Sequence, residues 1–300
     1  MRRRFVTLDV FTNRRFAGNP LAVVLDSHGL DDVTMQTIAR EFNLAETVFV
    51  FPPSDAKHRA KLRIFTPGVE LQFAGHPTVG TAVQLARIDG GSGQRPMVLE
   101  EGAGPVHCLV QPIDADRGSA RFVLPRLPTE VAPVLDRTMI AKALGLSDDD
   151  IGFDEFVPAR WSAAGPTFTF VPVRTLAAVK QCKPHSAHWE AAIEQDGARA
   201  AYVFCRETVE SGHAFHARMF APKLGIPEDP ATGAAIAAFA GLFTQTAKPQ
   251  DGEHQLDIEQ GYEMGRPSLL RLSLTIKQKS LVEAAIAGEA ITVSEGTIDA

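Results

Sequence analysis

"FAGHPTVGTA", residues 73–82, sets a histidine directly before a proline at the mouth of an apolar helical run. "EDPATGAAIA", residues 228–237, sets an aspartate before a proline in the same way. Proline suits the first helical position, where its missing N–H has no intrahelical partner. Both stretches therefore read as helix starts, at Pro77 and Pro230, with His76 and Asp229 at the N-cap position. In this register Gly80 matches Gly233, and Thr81 matches Ala234. The segments upstream match too. "RIFTP" (63–67) ends ten residues before Pro77, and "RMFAP" (218–222) ends eight before Pro230. Each unit is a strand ending in Phe-x-Pro, a loop, then a helix opening with a polar residue, Pro and Gly.

Two such units in opposite halves of the chain indicate two similar domains related by a pseudo-two-fold. The second helix, "PATGAAIAAFAGLF", is apolar all round, which marks burial on every side. "PTVGTAVQLARI" has only Gln84 and Arg87 as large polar residues. The expected architecture is α+β: two pseudo-symmetric domains, each a β-barrel-like sheet wrapped around a central helix. The polar loop "QPIDADRGSA" (111–120) is the best boundary, giving domains 1–115 and 116–284, with strand 285–300 returning to the first.

The rest of the chain fits this frame. Short runs such as "RFVTLDVF", "TVFVF", "KLRIFT", "MVLEE", "FTFVPV", "AYVFCRE", "AFHARMF" and "LLRLSLTI" are β-branched or aromatic and bounded by turn residues. "DDVTMQTIAREFN" follows the helical i, i+3, i+4, i+7 rule, with Asp31 or Asp32 as cap. "DRTMIAKALGL" and "HWEAAIEQ" are weaker helical patterns. The N-terminal "MRRRFVTLDV" reads as a first strand over residues 5–10 with solvated arginines. Asp9 breaks its apolar stretch too early for a secretory leader.

Composition narrows the function classes. The 300 residues are 45% apolar and 22% charged, as in ordinary globular proteins. A net charge of −6 argues against nucleic acid, which selects for basic patches. No run approaches the roughly 20 apolar residues of a membrane-spanning helix. Three widely spaced cysteines, Cys108, Cys182 and Cys205, give no disulfide framework and suit a reducing compartment, so a cytoplasmic location is expected.

The chemistry would lie at the helix starts. Their first N–H groups are free and the dipole is positive there, so they attract carboxylates and phosphates. Facing one another across the domain interface, the two starts would form a cleft with two anion-seeking ends. Glu46, in "NLAETVFVF", stands where a helix has ended and a strand begins. Desolvation there would raise its pKa towards a range useful for acid–base work. Plainer readings stand beside these: Asp229 as an ordinary helix cap, His76 as a satisfied loop histidine, Glu46 as a solvated loop residue. The pairs His185/His188 and His213/His216 lack a third ligand at zinc-site spacing, and on a strand the second pair would point to opposite faces. "GGSG" (90–93) and "EEGAGPV" (100–106) lack a strand–GxGxxG–helix context and read as turns. No metal or cofactor site is expected.

These residues resemble the PhzF-like (phenazine biosynthesis-like) family, within the diaminopimelate epimerase-like fold. The matching segments are "DVFTNRRFAGNPLAVVL", "LAETVFV", "IFTPGVELQFAGHPTVGTA", "FAPKLGIPEDPATGAA" and "EQGYEMGRPS", from residue 9 to residue 268. The resemblance implies a homodimer and a cofactor-independent isomerase or epimerase acting on a small carboxylate-bearing substrate. It implies Glu46 as the acid/base, His76 and Asp229 as groups that contact or orient the substrate, and Gly75, Gly233 and Ala234 as backbone donors to its carboxylate. Ala234 stands where the family often has Ser, so a hydroxyl hydrogen bond is missing. The two cysteines used by racemases of the wider fold are absent from both helix starts, which excludes two-thiol chemistry. The alternatives are a non-catalytic metabolite- or protein-binding member, and a lyase that begins with the same proton abstraction.

Overall fold

The structure is a computed structural model describing every residue except 133, 164 and 165. The chain divides into two units, Met1–Pro125 with Ile286–Ala300, and Arg126–Ala285. The loop 111–120, expected as the boundary, is instead the turn of a hairpin inside the first unit. Its second strand stays paired to its first, which moves the division from residue 115 to residue 125.

The first unit contains β1 (Arg2–Val10), β2 (Asn19–Val24), α1 (Asp32–Phe42), β3 (Glu46–Phe51), β4 (Ala60–Phe65) and β5 (Glu70–Leu71). It continues with α2 (Gly75–Asp89), β6 (Arg95–Glu101), β7 (Gly104–Pro112) and β8 (Arg117–Val123). The second unit begins with β9 (Thr129–Ala132), α3 (Arg137–Leu144), β10 (Ala159–Ser162), β11 (Thr167–Pro172), α4 (Leu176–Gln181) and α5 (Ser186–Ala192). Then come β12 (Ala198–Cys205), β13 (Phe215–Ala221), β14 (Ile226–Asp229), α6 (Gly233–Ala247), β15 (Gly252–Gln260) and β16 (Ser268–Lys277). The last strand, β17 (Ser280–Asp299), starts in the second unit and ends in the first.

In the first unit eight strands close a barrel. The order is β1, β2, β3, β4, β6, β7, β8 and β17, with β17 paired to both β8 and β1. The β2–β3 and β4–β6 pairs are parallel, and β1–β2, β3–β4, β6–β7, β7–β8 and β1–β17 are antiparallel. Closure leaves no open edge. Helix α2 runs through the barrel, packed on β1, β2, β3, β6, β7 and β8, and is buried continuously from Gly75 to Ala86. Gly80 allows this approach. A Cβ there would lie 2.6 Å from Leu21 and 2.7 Å from Val10, inside van der Waals contact.

The second unit follows the same logic. Its strands run β9, β10, β11, β12, β13, β15, β16, and β14 pairs with the far end of β13. Helix α6 packs on β9, β10, β11 and β16. Phe239 on α6 meets Phe170, Phe204 and Phe215 edge-on or tilted at centroid distances of 5.0–6.0 Å. Gly241 allows the close approach in α6, with Trp161 2.2 Å from where its Cβ would stand. Outside this sheet α3, α4 and α5 form a second core around Ile140, Val179 and Trp189. Of these, only α4 gave no helical signal in the sequence.

Two local expectations change. The first strand starts at Arg2, and Arg3 is buried: its guanidinium donates to the carbonyls of Asp26 (2.6 Å) and His28 (2.9 Å). The helix starts also shift. α2 begins at Gly75, with Ala74 as its cap residue and no side-chain cap, so His76 lies within the first turn. α6 begins at Gly233 after Thr232, so Asp229 ends β14 four residues earlier and is not its N-cap. Asp31 caps α1 as expected, accepting from Thr34 N at 2.7 Å.

Candidate active site

The first unit brings Glu46 and His76 together. Asn43 ends α1 in the left-handed conformation, with its N–H returned to the Ala39 carbonyl. Three residues later Glu46 opens β3, held in parallel register beside Leu21 of β2. His76 comes from the first turn of α2. Its Nδ1 lies 2.8 Å from Glu46 Oε2, with only 6% of the imidazole and 15% of the carboxylate exposed. The two atoms are at ion-pair distance without the alignment of a hydrogen bond, and Glu46 Oε2 is buried with no hydrogen-bond partner among the described residues. A nearly dry carboxylate against an imidazole, with one oxygen not committed to a protein donor, is suited to taking up a proton. Gly75 stands directly before His76 and is likewise buried.

A third group in this unit, Glu101 at the end of β6, was absent from the sequence reading. It is buried, and its Oε1 lies 2.7 Å from Thr78 Oγ1 on α2. Burial pushes its pKa up to about 8, against the opposing pull of Thr78 and the Ala74 amide and with some help from the charge of Glu46. The signal was present in "MVLEE". Period two puts Glu101 on the face of Met97 and Leu99, both buried, while Glu100 faces outward.

In the second unit Asp229, Gly233 and Ala234 cluster at the opening of α6. Asp229 Oδ2 accepts from Thr232 Oγ1. Gln260, the last residue of β15, is fully buried and fastens the turn. Its Nε2 donates to the Asp229 carbonyl (2.7 Å) and to Thr232 Oγ1 (3.0 Å), and its Oε1 accepts from Thr232 N (3.2 Å). Gly261 supports this from behind: its φ is +78°, and a Cβ would meet the carbonyls of Arg266 and Pro230 at 2.5 and 2.6 Å. Ala234 is half-buried where Gly233 is buried, so the opening of α6 reaches solvent at the position that lacks a hydroxyl.

The histidine pair 213/216 needs correction. His213 precedes β13, so strand periodicity does not separate it from His216, and both imidazoles converge on Glu259. Nδ1 of His213 is 2.8 Å and Nδ1 of His216 2.7 Å from the carboxylate; His216 Nε2 turns to Glu263 at 3.0 Å. His185 and His188 sit at the start of α5, exposed.

A family model, described as phenazine biosynthesis-like protein, matches residues 8–296. This chain belongs to that family. It is 49% identical over 299 residues to an isomerase of Mesorhizobium japonicum, covering 99% of this chain and 98% of the relative. It is 33% identical over 295 residues to the trans-2,3-dihydro-3-hydroxyanthranilate isomerase of Pseudomonas chlororaphis, covering 98% of each. The PhzF-family protein of Bacillus anthracis shares the fold over 100% of both chains, with a TM-score of 0.88 and 26% identity. As a PhzF-family member the chain is an isomerase. No helix among the described residues is long and apolar enough to cross a membrane.

Proposed function

We propose that this PhzF-family chain is a cofactor-independent proton-transfer isomerase acting on a small carboxylate-bearing metabolite. The observation that carries the reading is the buried contact of Glu46 with His76 at 2.8 Å. Glu46 takes a proton from a carbon made acidic by conjugation and returns it to another carbon or to the other face. His76 restrains the carboxylate and orients the substrate's polar groups. Asp229, tied to Thr232 and Gln260, is a group that orients polar groups of a substrate. Gly75 in the first turn of α2, and Gly233 and Ala234 in the first turn of α6, each present N–H groups without intrahelical acceptors, donors suited to a substrate carboxylate. Such fixed donors restrain negative charge that develops as the proton leaves. Ala234 offers only its N–H, so the substrate is one that needs no hydroxyl there.

The test is Glu46→Gln in deuterated water. The first substrate is trans-2,3-dihydro-3-hydroxyanthranilate, taken from the Pseudomonas chlororaphis relative, followed by a panel of small unsaturated carboxylates. Losing the acid/base lowers deuterium wash-in about 10²–10⁴-fold. Wash-in at the parental rate in the variant would remove Glu46 from this role. A parent that binds panel members without exchanging any proton would favour a metabolite-binding member. The working enzyme is expected to be a cytoplasmic homodimer; a monomer mass by light scattering would remove the dimer.

A further inference from the structure

Thr78 has one hydroxyl proton and two oxygen neighbours, both at 2.7 Å: the Ala74 carbonyl and Glu101 Oε1. A carbonyl is always an acceptor. An ionised Glu101 is an acceptor as well, and one proton cannot serve both contacts. One of the two oxygens would then press lone pair against lone pair on the hydroxyl. The conflict disappears when Glu101 carries a proton: its O–H donates to Thr78 Oγ1, and Thr78 O–H donates to the Ala74 carbonyl. The surroundings agree, since Glu101 is buried and its Oε2 has no partner among the described residues.

From this geometry we infer that Glu101 is a positioning residue, a neutral carboxylic acid that clamps the opening of α2 through Thr78 and so holds His76 against Glu46. The clamp spans the turn from Ala74 to Thr78, and His76 is in the middle of it. The inference rests on the proposed role of the Glu46–His76 pair for its meaning, but the state of Glu101 stands without it. Loss of the proton would do two things. It would break the relay to the Ala74 carbonyl, and it would add a second negative charge beside Glu46. The groups that face Glu101 are Glu46 from β3 and the Cys108 thiol from β7, with His76 on the intervening turn of α2. Burial pushes the Cys108 thiol up, so it stays neutral. Glu100, next on β6, looks the other way, bound to Ser54 N, Asp55 N and His58.

The experiment is a pH titration of the substrate-free protein, parent and Glu101→Gln. Infrared spectra of the parent are expected to keep the carbonyl band of one protonated carboxylic acid at pH 7 and lose it with a midpoint near pH 8. The His76 ring resonances in an NMR titration should show a step at that midpoint. In Glu101→Gln, which keeps a neutral donor towards Thr78, both the band and the step should be gone. A parent without any acid band at pH 7 overturns the inference even if the variant fails to fold. So does a band that persists in the variant, or His76 resonances that ignore the transition. If a substrate is in hand, the parent should lose roughly tenfold between pH 7 and pH 9 and the variant should not. Failure of that arm alone, with the band and step present, would count against the proton-transfer role of Glu46 and leave the clamp intact.

Discussion

Replacing Glu259 with Gln should destabilise the second unit in a way that depends on pH. The carboxylate has no exposed surface and receives four donors: His213 Nδ1, His216 Nδ1, Val209 N and Glu210 N. Burial alone would raise its pKa, but the bonds from His216, His213 and the two amides reverse this and hold it down at about 2, against 4.5. At about 1.4 kcal/mol per unit, ionised contacts of this kind are worth about 3 kcal/mol. The amide of Gln offers one oxygen and two N–H groups, so at least one donor of the cage meets another donor. For a chain of this size the loss corresponds to roughly 5 °C in melting temperature. Glu259 is a lowered acid, so its contribution is present above 4.5 and is lost as pH falls towards about 2. His216 behaves in the opposite way. Burial lowers its pKa, but Glu259 and Glu263 outweigh this and raise it above 6.5. Its contribution is complete below 6.5 and fades as pH climbs through the raised value. The gap between parent and Glu259→Gln should therefore be widest between about pH 4.5 and 6.5 and shrink on both sides. Thermal melts by circular dichroism from pH 3 to pH 9 measure it. A variant that melts within roughly 2 °C of the parent at pH 5.5 would refute the reasoning.

Two further outcomes concern the turn before α6 and the cysteines. Gln260→Ala removes the three bonds that Gln260 makes to Asp229 and Thr232, leaving buried groups unsatisfied at about 1–3 kcal/mol. Hydrogen exchange of the Thr232 and Gly233 amides should accelerate; unchanged protection would show that the turn does not depend on Gln260. The three cysteines are buried and unpaired with one another, and burial pushes Cys182 and Cys205 up to about 12. Iodoacetamide at pH 8 should leave the native protein unlabelled and isomerase activity intact, with three sites modified only after denaturation; native labelling that abolishes activity would reinstate thiol chemistry.

The fold was legible in the sequence because its strongest signals are local. An all-apolar helix such as α6 has to be surrounded, and short β-runs on both sides of it supply the surroundings. The Pro-x-x-Gly repeat then showed that this happens twice. What stayed hidden was register. The repeat aligned His76 with Asp229 as caps, yet the chain starts α2 one residue before the histidine and α6 four residues after the aspartate. Proline permits a helix start at N1 without enforcing one. In the second unit Thr232 and Gln260 consume the turn's hydrogen bonds first. The division between units was misplaced for a similar reason: a polar loop looks the same whether it links domains or closes a hairpin.

The candidate site shows in the sequence as single polar residues, and their partners do not. Glu46 and His76 lie thirty residues apart, and no spacing rule joins them. What joins them is that β3 and α2 belong to one barrel, with β3 beside β2 and α2 packed inside. Glu101 was missed although strand alternation marked it as inward, because an acidic residue next to another acidic residue reads as a solvated turn. The distinction matters physically. A carboxyl on the buried face of a closed barrel cannot be an ordinary surface charge. It has to be paired with a cation, or be held by several donors as Glu259 is, or stay protonated and donate. No cation is among the groups that perturb Glu101, and the hydroxyl of Thr78 already has a carbonyl to serve. The single Ala74 amide does not offset the burial, which favours the neutral acid. A protonated Glu101 donates to Thr78 and adds no second charge beside Glu46, which stands against the His76 imidazole.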